Sequence, residues 1–219
     1  MNIIEDTVKR QREYFSSGQT LPVAFRIAML RKLREEIVRR SDDLESALHA
    51  DLRRNRFETF LAEIILLVTE LKHAVSHTRR WAAPRSVLPS IFNFCSFDSV
   101  IPEPYGLSLV ISPWNYPVLL SLGPVAAAMS AGNCVILKPS ELSPATSAVV
   151  SELVQAALPK QYVTVVQGDA DTASALLEQK FDKIFFTGST KVGRLVLDAA
   201  ARNLTPATLE LGGKSPCIV

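Results

Sequence analysis

Four short segments of this sequence hold side chains able to do chemistry on a bound ligand. Glu210, in Leu209-Glu210-Leu211-Gly212-Gly213-Lys214, puts a carboxylate beside two glycines at the end of an expected strand. In an apolar cleft such a carboxylate holds its proton more tightly and can act as a general base. The alternative is an ordinary turn ion pair. Asn115, in Pro113-Trp114-Asn115-Tyr116-Pro117, sits in an uncharged stretch at another strand end. An amide buried there must be hydrogen-bonded or aimed at a ligand. Its NH₂ group can donate to a developing oxyanion, unless the residue only holds its own turn. In Lys138-Pro139-Ser140-Glu141 the carboxylate can accept from two ribose hydroxyls while the ammonium donates to the same sugar. The alternative is a surface pair flanking a turn. Gly188-Ser189-Thr190 opens a helix after a strand, where free N–H groups attract a phosphate; a simple helix cap has the same residues.

Other chemistries are excluded or disfavoured. Gly188 and Gly193 have the separation of a P-loop, but Arg194 and Leu195 stand where that motif needs Lys and Ser/Thr. The chain has no G-x-G-x-x-G run. His73 and His77 have metal-ligand spacing without a third ligand, so they are expected to be exposed and structural. Cys95, Cys134 and Cys217 form neither a zinc pattern nor a disulfide framework. They point to a reducing, cytoplasmic compartment, and each is expected to be a small buried hydrophobe.

These segments need elements to carry them. The chain has 219 residues, 47% hydrophobic and 21% charged, with a net charge of +2. That is globular composition with no general attraction for nucleic acid or anionic lipid. The N-terminus lacks the apolar core of a signal peptide. Pro104 to Leu137 is 34 residues without a charge. Four prolines, three glycines and two asparagines cut it into strand, turn, helix, turn and strand rather than a membrane span.

Residues 1–81 read as helices. Val23, Ile27, Leu30, Leu33 and Ile37 form one stripe; Ser41-Asp42-Asp43 caps a second helix; Phe57, Leu61, Ile64, Val68, Leu71 and Val75 form a third stripe. Residues 82–104 read as two extended strands of a projecting hairpin, whose Ile91, Phe92, Phe94 and Phe97 need something to pack on. Residues 105–209 alternate strand and helix, with strands at Leu107–Ser112, Cys134–Lys138, Tyr162–Val166, Lys183–Thr187 and Thr208–Leu211. The fold class is therefore α/β, a doubly wound parallel sheet preceded by N-terminal helices and a hairpin. Ligands of such sheets bind at the carboxyl ends of the strands, where all four segments fall.

Together with Ala131-Gly132-Asn133-Cys134-Val135-Ile136-Leu137 before Lys138 and Phe185-Phe186-Thr187 before Gly188, these segments resemble the aldehyde dehydrogenase superfamily in order and spacing. The short N-terminus, Ile101-Pro102-Glu103-Pro104-Tyr105-Gly106 and Tyr116 resemble its class 3 branch. The resemblance implies a variant Rossmann sheet that binds NAD or NADP without the usual glycine fingerprint. It assigns Lys138 and Glu141 to the adenosine ribose, Gly188 and Ser189 to the pyrophosphate, and Trp114 to cofactor contacts. Asn115 becomes the oxyanion-hole amide and Glu210 the base that activates water. Residues 82–104 become part of a bridging hairpin in a homodimer, and residues 210–219 the start of a catalytic domain. The implied reaction is attack of a cysteine thiolate on an aldehyde, hydride transfer and thioester hydrolysis. The family's nucleophile lies a few dozen residues beyond the Glu-Leu-Gly-Gly-Lys motif, so these 219 residues are expected to be an N-terminal half and inactive alone. Membrane association would require a C-terminal tail. The alternative is a short protein that binds a nucleotide or a partner without catalysis.

Overall fold

The computed structural model describes residues 3–218. Helix α1 (Ile3–Ser16) is followed by α2 (Val23–Arg39), α3 (Ser41–Leu52), a short α4 (Arg56–Thr59), a π-helical turn (Phe60–Ile64) and α5 (Ile65–Trp81). Next come β1 (Arg85–Val87), β2 (Asp98–Val100), β3 (Leu107–Ile111), α6 (Leu119–Ala131), β4 (Cys134–Lys138) and α7 (Pro144–Ala157). The last elements are β5 (Val163–Val165), α8 (Ala170–Leu177), β6 (Lys183–Gly188), α9 (Thr190–Arg202) and β7 (Ala207–Leu211).

Strands β3 to β7 form one parallel sheet in the order β5-β4-β3-β6-β7. Every residue of β3 and β4 is buried, as continuous apolar runs in a parallel sheet require. The uncharged stretch is thus β3, α6 and β4, and among the described residues no helix is long and apolar enough to cross a membrane. From β3 the chain steps outward to β4 and β5; from β6 it steps the other way to β7. Right-handed crossovers in opposite directions put α6 and α7 on one face and α9 on the other. The reversal between β3 and β6 opens a crevice at their carboxyl ends. Helices α2, α3 and α5 pack as an outer layer on α6 and α7.

Residues 82–104 do form an antiparallel pair, with Arg85 opposite Val100 and Val87 opposite Asp98. Ile91, Phe92, Phe94 and Phe97 between the strands are almost fully exposed.

Three expectations need correction. Ser41 does not cap α3: it is already helical, and Arg40 is the single joint between α2 and α3, with no side-chain cap. The third stripe is rotated at its start. Phe57 and Leu61 are exposed while Ile64 and Leu71 are buried as expected, and Thr59, Glu63 and Leu67 join the buried line. The π-helical turn takes up an extra residue and turns the preceding residues off the face that α5 buries. Of the cysteines, only Cys134 is buried. Cys95 is in the hairpin with no cover, and Cys217 follows the last strand pairing at Leu211.

Gly106 fixes the entry to β3. Its φ is +134°, and a Cβ there would lie 2.4 Å from the Asp182 carboxylate. That carboxylate accepts from Leu107 N at 2.8 Å and pairs with Arg12 at 3.1 Å. Gly106→Ala therefore combines backbone strain with a displaced ion pair. It is expected to lower stability by about 1–3 kcal/mol, read from the urea midpoint. A midpoint equal to wild type would contradict this.

Candidate functional site

The carboxyl ends of β3, β6 and β7 surround a cleft of about 650 Å³, lined by Trp114, Asn115, Thr187, Gly188, Ser189 and Glu210 among others. A smaller hollow of about 190 Å³ follows β4 and β5, lined by Pro139, Ser140, Glu141, Pro144, Gln167 and Gly168. Three of the four segments thus share one cleft, and the Lys138–Glu141 segment borders its own hollow.

The segment carrying Asn115 leaves the sheet after Ser112, whose N–H donates to Lys138 O at 3.1 Å. Asn115 is exposed rather than buried, and Trp114 beside it is exposed too. Prolines on both sides keep this loop out of the sheet and out of α6. The Asn115 Oδ1 accepts from Tyr116 N at 3.1 Å, so the amide does hold its own turn. That bond uses the acceptor end and leaves Nδ2 free to donate.

Lys138 is the last residue of β4 and only 3% exposed. Its Nζ donates to Glu141 Oε2 at 2.6 Å, so the two are not a simple surface pair. A buried ammonium needs such a partner. Burial pushes the Glu141 carboxyl up, but its bond to Lys138 and a backbone N–H outweigh this and hold it below the usual range.

Ser189 is the N-cap of α9, its Oγ accepting from Val192 N at 3.3 Å. The helix cap is thus present, and the same residue opens a helix at the carboxyl end of β6, where an anion is attracted. At Gly188 an added Cβ would stand 2.5 Å from the Phe186 ring, so only glycine lets the chain pass there. The Thr187 Oγ1 is buried with no hydrogen-bond partner, the kind of orphaned group a ligand satisfies.

Glu210 is paired in register with Thr187, one position before Leu211 pairs with Gly188, and it lines the same cleft. It is exposed, not enclosed in an apolar cleft as expected. β7 is the outermost strand, and among the described residues nothing packs beyond it.

Sequence reasoning missed three residues here: Arg54, Glu63 and Thr187. Glu63 is fully buried and accepts from Val118 N at 2.7 Å and Leu119 N at 3.1 Å, capping the start of α6. Arg54 pairs with Glu63 and lies 4.4 Å from the centre of the Tyr116 ring. Burial pushes the Glu63 carboxyl up against the opposing pull of those two N–H groups and Arg54. The available signal was a lone acid inside Phe60-Leu61-Ala62-Glu63-Ile64-Ile65-Leu66-Leu67. His73 is exposed and His77 half-buried, their rings 4.0 Å apart, and among the described residues no cluster suited to a metal occurs.

A doubly wound sheet with a cleft at its switch point, mostly apolar with a few polar side chains, defines a class of ligand-binding α/β domain. Comparison with known proteins narrows it. The model of the aldehyde dehydrogenase family matches residues 2–219, and this chain belongs to that family. It is 43% identical over its whole length to aldehyde dehydrogenase family 3 member B1 of Bos taurus, covering 47% of that protein. It is 44% identical over 212 residues to family 3 member H1 of Arabidopsis thaliana, covering 97% of this chain and 44% of that one. The substrate-bound structure of AldH from Staphylococcus aureus superposes with a TM-score of 0.97 at 37% identity, covering 99% of this chain and 47% of that chain. The chain spans about half the length of the curated relatives it matches.

Proposed function

We propose that the polypeptide carrying these residues oxidises aldehydes to carboxylates with NAD or NADP, and that this chain supplies the half that holds the cofactor. The observation that carries this reading is the convergence of Asn115, Gly188, Ser189 and Glu210 on one cleft of about 650 Å³. An NAD⁺ complex among the structural neighbours, that of Bacillus cereus aldehyde dehydrogenase, supports the cofactor class; it has a TM-score of 0.87 at 27% identity and covers 97% of this chain and 44% of that one.

The residues fit a dinucleotide. Glu141, already ionised and held by Lys138, accepts from ribose hydroxyls. The start of α9 and the close backbone at Gly188 receive the pyrophosphate. Thr187 Oγ1 gains a partner, and Trp114 gives the cofactor an aromatic wall. Bound NAD(P) supplies the hydride acceptor. Asn115 Nδ2 donates to the oxygen that gains charge when a cysteine thiolate attacks the aldehyde carbon. Glu210 takes a proton from the water that hydrolyses the resulting thioester. The thiolate comes from polypeptide outside these residues. The exposed Phe92 and Phe97 support a hairpin that packs on a second subunit in a homodimer.

The test is the longest natural polypeptide containing this chain, assayed with NAD and a reactive aldehyde by absorbance of the reduced cofactor. Turnover supports the reading. Nucleotide binding without turnover would favour a non-catalytic protein.

Glu141 also sets cofactor preference. Its carboxylate repels a 2′-phosphate, so NAD is expected to bind at least as tightly as NADP. Glu141→Gln removes charge-assisted bonds and is expected to weaken NAD binding by about 10-fold or more, and NADP by less. Calorimetry with each cofactor checks both; NADP binding tenfold tighter than NAD to the unmodified protein would contradict the assignment.

A further inference from the structure

The loop that carries Asn115 has little of its own to hold it still. Pro113 and Pro117 have no N–H to give. The sheet's last bond before the loop is Ser112 N to Lys138 O, and the helix's first bond after it is Leu120 N to Tyr116 O. Among the described residues, the carbonyl of Asn115 is held by Arg54 Nη2 alone. The same guanidinium stacks 4.4 Å from the centre of the Tyr116 ring and gives Nη1 to Glu63 Oε1. The other oxygen of Glu63 accepts from Val118 N and Leu119 N. One ion pair therefore reaches the loop from both ends, at the carbonyl of Asn115 and at the first turn of α6.

Both partners are themselves well fixed. Arg53 takes a left-handed φ of 57° and ends α3. The Arg54 side chain is 11% exposed, and its carbonyl faces His49 Nδ1 at 3.0 Å. Glu63 is in the π-helical turn, which places a carboxylate on the inner face where the uninterrupted stripe would have placed none. Burying a carboxylate is costly, and an apolar residue would fill that position at no such cost. The cost is understandable if the pair fixes a geometry that packing alone leaves loose.

We propose that Arg54 and Glu63 are positioning residues that hold the Asn115 amide toward the cleft; the catalytic consequence rests on the oxyanion reading of Asn115 above. Neither touches the reacting atoms. Their action passes through the Asn115 carbonyl, the Tyr116 ring and the two N–H groups at the start of α6. A displacement of about 1 Å at such a donor costs about 100-fold in rate.

The experiment uses the longest natural polypeptide containing this chain. Arg54→Met keeps the length of the side chain and removes its donors. It is expected to lower kcat by about 10- to 100-fold, with NAD affinity by calorimetry and cofactor KM within twofold of wild type. Combined with Asn115→Ala it should lower kcat no further than Asn115→Ala alone, because both act on one donor. A merely structural role would multiply the two losses. Hydrogen exchange gives the readout that does not depend on catalysis. The Tyr116, Val118 and Leu119 amides should exchange at least tenfold faster in Arg54→Met, with β3, β4 and β6 unchanged. Glu63→Gln, which keeps shape and acceptor and loses charge, serves if Arg54→Met does not fold, and should raise the same exchange rates. Unchanged exchange at these amides, or multiplicative losses in the double variant, overturns the proposal. If Asn115→Ala leaves kcat unchanged while the exchange rates rise as expected, the positioning stands and the oxyanion reading falls.

Discussion

Residues 1–219 produced alone are expected to give no aldehyde oxidation above the uncatalysed background. The reaction needs a thiolate within reach of both the aldehyde carbon and the cofactor. Cys134 is buried at the first position of β4, and burial pushes its thiol up to about 12. At pH 7 only about 1 part in 10⁵ of it would be thiolate. It also starts a strand whose other end, Lys138, leads into the hollow lined by Pro139, Ser140 and Glu141, and four strand steps put Cys134 and Lys138 about 13 Å apart. Cys95 lies in the hairpin, and Cys217 is an exposed residue past the end of β7. Asn115 has no oxyanion to stabilise without a nucleophile, and Glu210 no thioester to hydrolyse. The assay is purified 1–219 with NAD and a reactive aldehyde. Turnover near that of an intact family enzyme, lost on Cys134→Ser or Cys217→Ser, would show that a nucleophile had been overlooked.

Asn115→Ala, made in the longest natural polypeptide, is expected to lower kcat by about 10²- to 10³-fold. The donor acts mainly on the charged intermediate and little on the neutral aldehyde, so KM should move far less than kcat. The fold should be unaffected. Asn115 is exposed, and among the described residues its side chain bonds only the adjacent N–H of Tyr116, which donates to Oδ1. Steady-state kinetics with thermal melting beside them checks this. An equal loss in kcat and melting temperature would mean that the residue only holds its turn.

How much of this was legible in the sequence follows from which contacts are local. The central strands β3 and β4 announced themselves because parallel strands buried on both faces are continuous apolar runs, and Cys134–Lys138 came out with its observed ends. The site segments were legible because each lies at or just past the carboxyl end of a strand and the strand-end rule gathers them. The rotated start of the third helical stripe was not. A π-helical turn has no compositional mark, and the pattern of Phe57, Leu61 and Ile64 fits an uninterrupted helix equally well. Arg54 and Glu63 were missed for a different reason. Their partners, Asn115, Val118 and Leu119, lie 55 or more residues further along the chain, and charges on helices are ordinarily solvated. The burial expected of Asn115 and Glu210 was inferred from apolar neighbours in sequence, whereas exposure depends on what covers a strand end in space.

The central claim is that the cofactor lies across the carboxyl ends of β4, β3 and β6. A crystal structure of the longest natural polypeptide with NAD tests it most directly. The account predicts ribose hydroxyls on Glu141, the pyrophosphate over Gly188 and Ser189 at the start of α9, and the reactive ring in the cleft between Asn115 and Glu210. NAD found at any other edge of the sheet, with these residues free of it, would contradict the account.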